Sequence, residues 1–328
     1  MFRTQVVSRI LLETALAYEQ DYERIENEKY KLPYDMYSQT EQSSPVFALE
    51  QTGKFVREAV GTLTRRNRGS DEDKKVWFDN DAMPDLYPKY YRTAYHYQTD
   101  GWMSNDSASV YDTSTETLFL GRQDAMQRMT LVPLVEYAKE VGRPLKVLEV
   151  ACGTGRFMTF ARDNLPLDSE YTAIDLSPFY LDKARDNDAK WRSLKKRMEK
   201  EENGVEIDTI HPATIVQAQA ENLPFADEEF DVVVCVYLFH ELPREIRAKA
   251  ASEMTRVTKT GGRVVLTDSY QLGDRPIFDN QIGNFGNMNE PHYRDYIEDL
   301  LPKHFEDEGL ECLTKMVCSS SKALSFKK

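Results

Sequence analysis

A short segment containing two glycines is the part of the sequence best suited to holding a ligand. Residues 147–156 read VLEVACGTGR, an apolar run that leads into the glycine segment 151–155 and then into a helical pattern. Glycine lets the backbone turn sharply and approach a ligand closely, and a helix N-terminus offers unpaired N–H groups. This strand–turn–helix unit can hold a nucleotide-like cofactor.

A carboxylate follows the next strand pattern. Asp175 comes directly after the apolar run 171–174, about 20 residues beyond the glycine segment, and a carboxylate there can accept two hydrogen bonds from ribose hydroxyls. A dinucleotide fingerprint requires a third glycine three residues after the second, and Met158 occupies that position. The pattern therefore disfavours a nicotinamide oxidoreductase, which stays an alternative.

Strand and helix patterns alternate along the rest of the chain. Apolar strands separated by helices predict an α/β fold: a Rossmann-like doubly wound sheet, mostly parallel, with an antiparallel edge hairpin. Ligands of such sheets bind beyond the carboxyl ends of the strands. The predicted strands are 144–150, 170–174, 214–216, 230–237 and 263–268, the hairpin is 312–317 with 322–326, and the helices are 117–141, 155–164, 178–201, 243–258 and 293–308.

The first third of the chain has a different composition. Residues 1–30 have a helical pattern, 62–75 form a charge run predicted to be an exposed linker, and aromatic side chains accumulate between 83 and 111. We therefore predict an N-terminal, mainly helical extension, with a helical and aromatic cap segment at 1–115 and the cofactor-binding domain at 116–328.

Composition excludes several classes of protein. The 328 residues carry a formal net charge of −13, which disfavours nucleic acid as a partner. No run approaches the roughly 18 apolar residues of a membrane span. The four cysteines include no CxxC pair, so no metal site is predicted and a reducing compartment fits. We expect a soluble, cytoplasmic protein, or a plastid one if a transit peptide has been removed; nothing indicates the oligomeric state.

Four segments, in the correct order and spacing, carry a family resemblance. Residues 149–155, 173–177, 219–225 and 256–263 resemble those of class I S-adenosylmethionine-dependent methyltransferases, specifically the small-molecule type 11 group. The resemblance covers about residues 145–270. It implies S-adenosyl-L-methionine as cofactor and a small-molecule methyl acceptor as substrate. The alternative is a non-catalytic regulatory or assembly protein that binds the cofactor with the same fold.

The resemblance also implies where each part of the cofactor lies. Asp175 would bind the ribose hydroxyls, and Leu176 would pack on the adenine. Gln219 stands where the family commonly has an aspartate that accepts from the adenine amino group, and its amide oxygen can still accept this bond. The other implied cofactor-binding residues are Glu149, Ala151, Gly153 and Gly155 around the methionyl and ribose part, Ala220 at the adenine edge, and Val236 or Tyr237 near the methyl-bearing end.

Methyl transfer is an in-line displacement, so the protein must align the nucleophile and exclude water; a base helps only if the nucleophile arrives protonated. His240, after the fourth strand, is the first candidate for a catalytic base or substrate ligand, although it could instead cap the next helix. Glu241 is predicted to be structural. An aromatic lid over the sulfonium and the substrate is predicted from Tyr91, Tyr95, His96 and Trp102, of which Tyr91 and Tyr95 are the catalytic candidates.

Other substrate positions are less specific. Asp268 ends the fifth strand, and His292 and Tyr293 follow it in the chain, where these folds often place substrate residues. The Asn/Asp-Pro-Pro-aromatic motif of base- and amide-methylating relatives is absent, because residues 235–238 read CVYL. Together with the negative charge, this disfavours a DNA methyltransferase.

Overall fold

The computed structural model describes residues 2–36, 45–70, 74, 76, 87–204, 207 and 210–328. In these parts of the chain, seven strands form one sheet in the order β3-β2-β1-β4-β5-β7-β6. β1 to β5 pair in parallel, and β7 runs antiparallel to both β5 and β6. The strands are β1 (Lys146–Val150), β2 (Glu170–Asp175), β3 (Thr214–Gln217), β4 (Phe230–Val236), β5 (Thr258–Ser269), β6 (Glu311–Cys318) and β7 (Ser321–Lys327). The predicted fold class is confirmed.

Helices cover both faces of this sheet and form the N-terminal extension. They are α1 (Phe2–Glu26), α2 (Pro45–Arg68), α3 (Asn105–Leu118), α4 (Gln123–Arg128), α5 (Leu131–Val141), α6 (Arg156–Asn164), α7 (Pro178–Asn203), α8 (Arg244–Val257), α9 (Asp279–Ile282), α10 (Tyr293–Glu298) and α11 (Leu301–Glu306).

Alternation along the central strands explains why both faces are covered. Successive side chains of a strand point to opposite faces. In β4, Val233 and Cys235 belong to one apolar cluster, whereas Val232 and Val234 belong to another. All seven residues of β4 are buried, as the valine-rich sequence predicts for a strand at the centre of a parallel sheet.

Register brings the carboxyl ends of three strands to one edge. Val150, the last residue of β1, pairs with Ile174 of β2 and with Cys235 of β4. The loops that follow these strands therefore start side by side. They carry the glycine segment, Asp175 and the segment that contains His240.

Three predicted elements differ from the structure. The prediction of a linker at 62–75 is wrong for its first part, because α2 continues to Arg68. Within this helix Arg65 forms an ion pair with Glu58, and the Glu58 carboxylate also accepts a hydrogen bond from the Thr99 hydroxyl. The helix predicted at 293–308 is two short helices separated at Asp299. The helix predicted at 117–141 is also interrupted: α3 ends at Leu118, and α4 and α5 follow separately.

The predicted division of the chain stays a prediction. The boundary after residue 115 falls within α3, which runs from Asn105 to Leu118. α3 packs against α2, α4 and α7, and thus against helices on both sides of that boundary.

We expect acid to lower the stability of the protein through Asp231 of β4. Asp231 lies near the amino end of its strand, at the edge of the sheet opposite the glycine segment. Its carboxylate accepts from the side chains of Arg143 and Lys259 and from the backbone N–H of Lys146. Burial raises the pKa of Asp231, but these donors outweigh burial and hold the pKa well below its usual range. A depressed folded pKa contributes stability above the unfolded pKa of about 4, and this contribution is lost as the pH falls further.

We therefore expect Asp231→Asn to lower the free energy of unfolding at pH 7 by about 1–2 kcal/mol. Urea unfolding between pH 2 and 7 should also show a flatter acid limb in the variant. The control is Asp227→Asn, because Asp227 is exposed and pairs with Arg256 at the surface. Equal acid limbs in wild type and Asp231→Asn would contradict this assignment.

Candidate active site

The glycine segment forms a tight turn that is tied to the second strand. The backbone N–H of Cys152 donates to the carbonyl oxygen of Ile174 at 2.8 Å. Ala151, Gly153 and Gly155 all have positive φ, at 59°, 53° and 75°. Adding a Cβ to Gly153 would bring nothing closer than 4.0 Å, so the turn keeps open space beside its backbone.

The carboxylate of Asp175 lies next to this turn. Its Oδ2 accepts from the backbone N–H of Gly153 at 2.9 Å, and its Oδ1 accepts from the backbone N–H of Ser177 at 2.8 Å. Two features that are about 20 residues apart in sequence are thus in direct contact.

A cavity of about 1120 Å³ opens at these strand ends. A single small ligand usually occupies about 300–1,000 Å³, so the space suits a nucleoside cofactor together with a small acceptor. The lining includes most of the sequence-predicted site residues, namely Glu149, Ala151, Gly153, Asp175, Leu176, Ala220, Val236 and Tyr237, together with Tyr91, Tyr95 and Trp102.

Gly155 and Gln219 are outside the lining that the described residues form. A Cβ on Gly155 would lie 2.8 Å from Met158 Cε and 3.0 Å from the Cβ of Ala184 in α7. Gly155 therefore serves close packing of the turn on α7. Gln219 forms an isolated bridge with Asn222, and it is the alanines on either side of it that line the cavity.

The packing role of Gly155 gives a stability prediction. Gly155→Ala forces alanine into a left-handed backbone conformation, which costs about 1–2 kcal/mol, and its Cβ would also overlap with α7. We therefore expect the free energy of unfolding to fall by about 2–3 kcal/mol. Gly142→Ala is the matched control, because Gly142 also has positive φ (66°) but has no atom within 4 Å of an added Cβ. Urea unfolding of both variants separates the cost of the left-handed backbone from the cost of steric overlap with α7. Equal losses would show that α7 does not restrict Gly155.

Aromatic side chains from the N-terminal segment form a roof over the cavity. The ring centroids of Tyr91 and Trp102 are 5.3 Å apart, and those of Tyr95 and Trp102 are stacked at 4.8 Å. The Tyr95 hydroxyl donates to the carbonyl oxygen of Glu241 at 2.9 Å, and Ser177 donates to the carbonyl oxygen of Trp102. The roof is thereby attached to the loops that follow β4 and β2.

The lining is rich in buried acids. Burial raises the pKa of Glu149 to about 8, although the hydroxyl of Tyr171 donates to this carboxylate at 2.7 Å. Burial also raises the pKa of Asp175, and it raises that of Glu241 well above its usual value. A cationic ligand would restore the charged form of these groups, and aromatic faces also favour cations. The electrostatics therefore suit a positively charged cofactor.

His240 and Glu241 occupy different positions relative to the cavity. Glu241 is in the lining, whereas His240 is buried behind it with Nδ1 2.7 Å from Asp268 Oδ1. Asp268 also accepts from the backbone N–H groups of Leu238 and Phe239. Burial lowers the pKa of His240, but Asp268 outweighs burial and raises it to about 9. His240 therefore contacts Asp268 behind the cavity wall, and Glu241 faces the ligand space; the catalytic role of His240 stays a prediction.

The two other candidates after the fifth strand lie away from the cavity lining within the described part of the chain. The hydroxyl of Tyr293 pairs with Ser269 Oγ at 2.9 Å, and its ring is buried. His292 precedes α10, and burial lowers its pKa. Glu290, which the sequence analysis left without a role, is instead buried beside His96.

Comparisons with known proteins agree with this geometry. The family model described as a methyltransferase domain, of the type 11 group, matches residues 148–266. The ubiquinone/menaquinone biosynthesis C-methyltransferase UbiE of Haemophilus ducreyi is 30% identical over 184 residues, which are 56% of this chain and 61% of that protein. An uncharacterized methyltransferase, YcgJ, of Bacillus subtilis is 36% identical over 77 residues, 24% of this chain and 29% of that protein.

A solved structure of an S-adenosylmethionine-dependent methyltransferase from Aquifex aeolicus has a TM-score of 0.41 and 18% identity, covering 61% of this chain and 92% of that one. The chain spans less than two thirds of the length of each of the two curated relatives.

The sheet order, with the cavity at its strand ends, defines a Rossmann-like α/β fold. Residues 148–266 are thus similar to a methyltransferase domain of the type 11 group. Among the helices that the structure describes, none is both long and apolar enough to cross a bilayer.

Proposed function

We propose that this protein is an S-adenosylmethionine-dependent methyltransferase that acts on a small-molecule acceptor. The observation that carries the proposal is a single cavity lined by the glycine turn, the Asp175 carboxylate and the apolar side chains of Leu176 and Ala220. Within this arrangement, Asp175 would hold the ribose hydroxyls, and Leu176 with Ala220 would enclose the adenine. The acidic wall and aromatic roof suit the positive charge of the cofactor.

The lining residues have two roles in catalysis: they align the acceptor, and they shield the reacting atoms from water. Bound S-adenosylmethionine supplies an electrophilic methyl group. Tyr91, Tyr95 and Trp102 exclude water from the space above the turn, and exclusion of water favours displacement chemistry. Glu241 offers a carboxylate that can accept a hydrogen bond from a hydroxyl or amine of the acceptor. His240, held by Asp268, orients the loop that presents Glu241.

The relatives support a small-molecule acceptor. One is named for ubiquinone/menaquinone biosynthesis, and another, from Cereibacter sphaeroides, is a phosphatidylethanolamine N-methyltransferase, 33% identical over 135 residues that are 40% of this chain and 54% of that protein. A cytoplasmic location stays a prediction.

The proposal is tested by incubating the protein with methyl-labelled S-adenosylmethionine and fractionated metabolite extracts. We expect label in a low-molecular-weight product, and none with heat-denatured protein. Cofactor binding without labelled product in any fraction would favour the non-catalytic alternative. Failure to bind the cofactor at all would exclude both.

A further inference from the structure

A cluster of ligating side chains lies directly behind the cavity wall. His96, Glu241 and Glu290 come from three separate segments, and their ligating atoms all lie within 4.8 Å of one another. His96 Nδ1 is 3.2 Å from Glu290 Oε1. We infer that these three side chains bind one divalent transition-metal cation.

Glu290 points to a ligand because its buried carboxylate lacks a well-aligned hydrogen-bond donor among the described residues. The residue is 2% exposed, and neither carboxylate oxygen accepts a hydrogen bond of good geometry from the described residues, although the backbone N–H of His96 lies nearby; His96 Nδ1 has no such partner either. A buried carboxylate without partners is strongly unfavourable, and native proteins rarely leave such groups unsatisfied. A cation between Glu290 and His96 satisfies both groups.

The charges lead to the same conclusion. Glu241 and Glu290 bring two carboxylates together, and within the described chain their ion-pair partners are histidines alone: His240 for Glu241 at 3.8 Å and His96 for Glu290. Two neighbouring carboxylates, one buried and one partly buried, repel each other when no lysine or arginine pairs with them. A divalent cation bound by two carboxylates and a neutral imidazole gives a site with no net charge.

The backbone holds His96 and Glu290 against each other. His96 has φ 57° and ψ 12°, a left-handed conformation that is uncommon for a residue other than glycine. The side chain of Asn289 donates to the carbonyl oxygens of Ala94 and Lys74, at 2.8 and 3.1 Å. The segment that carries Glu290 is thus fastened to the segment that carries His96, and a strained residue is fixed at the point of contact.

Ligand chemistry narrows the choice of cation. Imidazole suits zinc and iron, and carboxylates suit manganese, so a mixed set of one histidine and two glutamates fits Mn²⁺ or Zn²⁺ better than Ca²⁺. Three protein ligands leave coordination positions open, as in catalytic metal sites. Glu241 alone of the three also lines the cavity, so the open positions adjoin the ligand space. If the proposed function holds, an acceptor oxygen could bind there and lose its proton more easily.

The test measures Mn²⁺ binding by electron paramagnetic resonance and Zn²⁺ binding by calorimetry, on the full chain after treatment with a chelator. We expect about one equivalent to bind. Glu290→Gln and His96→Asn should each weaken binding at least about ten-fold. Asparagine is chosen at His96 because it tolerates the left-handed conformation. The matched control is Glu245→Gln, an exposed glutamate four residues from Glu241 that should bind as wild type.

Folding and cofactor binding are followed in the same samples. In the metal-free protein, Glu290→Gln removes a buried, unpaired charge, so its Tm should equal or exceed that of wild type. S-Adenosylmethionine affinity should be preserved, which separates this inference from the proposed function. The inference is overturned if wild type binds neither ion, or if Glu290→Gln and His96→Asn bind them as tightly as Glu245→Gln does.

Discussion

Replacing Asp175 with alanine is expected to weaken binding of S-adenosylmethionine about 100-fold. Two hydrogen bonds from ribose hydroxyls to a carboxylate contribute about 3 kcal/mol or more, which is an approximately 100-fold change in affinity. At a cofactor concentration of about 100 times the wild-type Kd, wild type gains about 2.7 kcal/mol of stability. Asp175→Ala should gain only about 0.4 kcal/mol, so its Tm should respond much less to the cofactor.

The cofactor-induced change in Tm is the quantity to compare, because the substitution also affects the free protein. Without the carboxylate, the N–H groups of Gly153 and Ser177 lose their acceptor, and the starting Tm is expected to fall. Asp175→Asn retains one acceptor oxygen, so its starting Tm should fall less than that of Asp175→Ala. Asp168→Asn is the control: this exposed aspartate precedes the other end of β2. A full Tm response in Asp175→Ala would remove Asp175 from the cofactor site.

Replacing Asp268 with alanine is expected to lower the free energy of unfolding by about 4 kcal/mol or more. Asp268 is completely buried, and it accepts from the backbone N–H groups of Leu238, Phe239 and Ser269 and pairs with His240 Nδ1. Each buried donor left without an acceptor costs about 1–3 kcal/mol. The loop that presents Glu241 should loosen at the same time.

Urea unfolding measures this loss. Asp268→Asn keeps one acceptor oxygen, so its free energy of unfolding should lie between those of wild type and Asp268→Ala. Asp307→Ala is the control, because Asp307 is exposed and its pair with Lys303 is a surface ion pair, worth at most about 1 kcal/mol. If the two alanine variants lose equally little stability, Asp268 does not organise the loop.

Local sequence sufficed for the parts of the site that depend on neighbouring residues. The valine-rich β4 predicted a buried central strand, and the glycine segment with Asp175 predicted the turn and carboxylate at adjacent strand ends. These features follow from strand alternation and from parallel register, which place consecutive loops at one edge. The contact between Gly153 and Asp175 needed no long-range information beyond that rule.

Side chains that act through distant contacts could not be assigned in the same way. His240 and Glu241 are adjacent, and only the position of Asp268 decides which of them is turned into the core. Glu290 meets His96 across almost 200 residues, and no spacing rule connects them. The cofactor role that the resemblance implies for Gly155 stays a prediction, and the packing of Gly155 against Ala184 of α7 could not be predicted because the two are distant in sequence.

The proposed function requires that the cavity bind S-adenosylmethionine rather than a nicotinamide dinucleotide. Calorimetric titration of the unmodified protein with each cofactor tests it most directly. The structure predicts one equivalent of S-adenosylmethionine bound and no heat of binding from NADH, since Met158 stands where the third dinucleotide glycine would be. Binding of NADH without binding of S-adenosylmethionine would contradict the account.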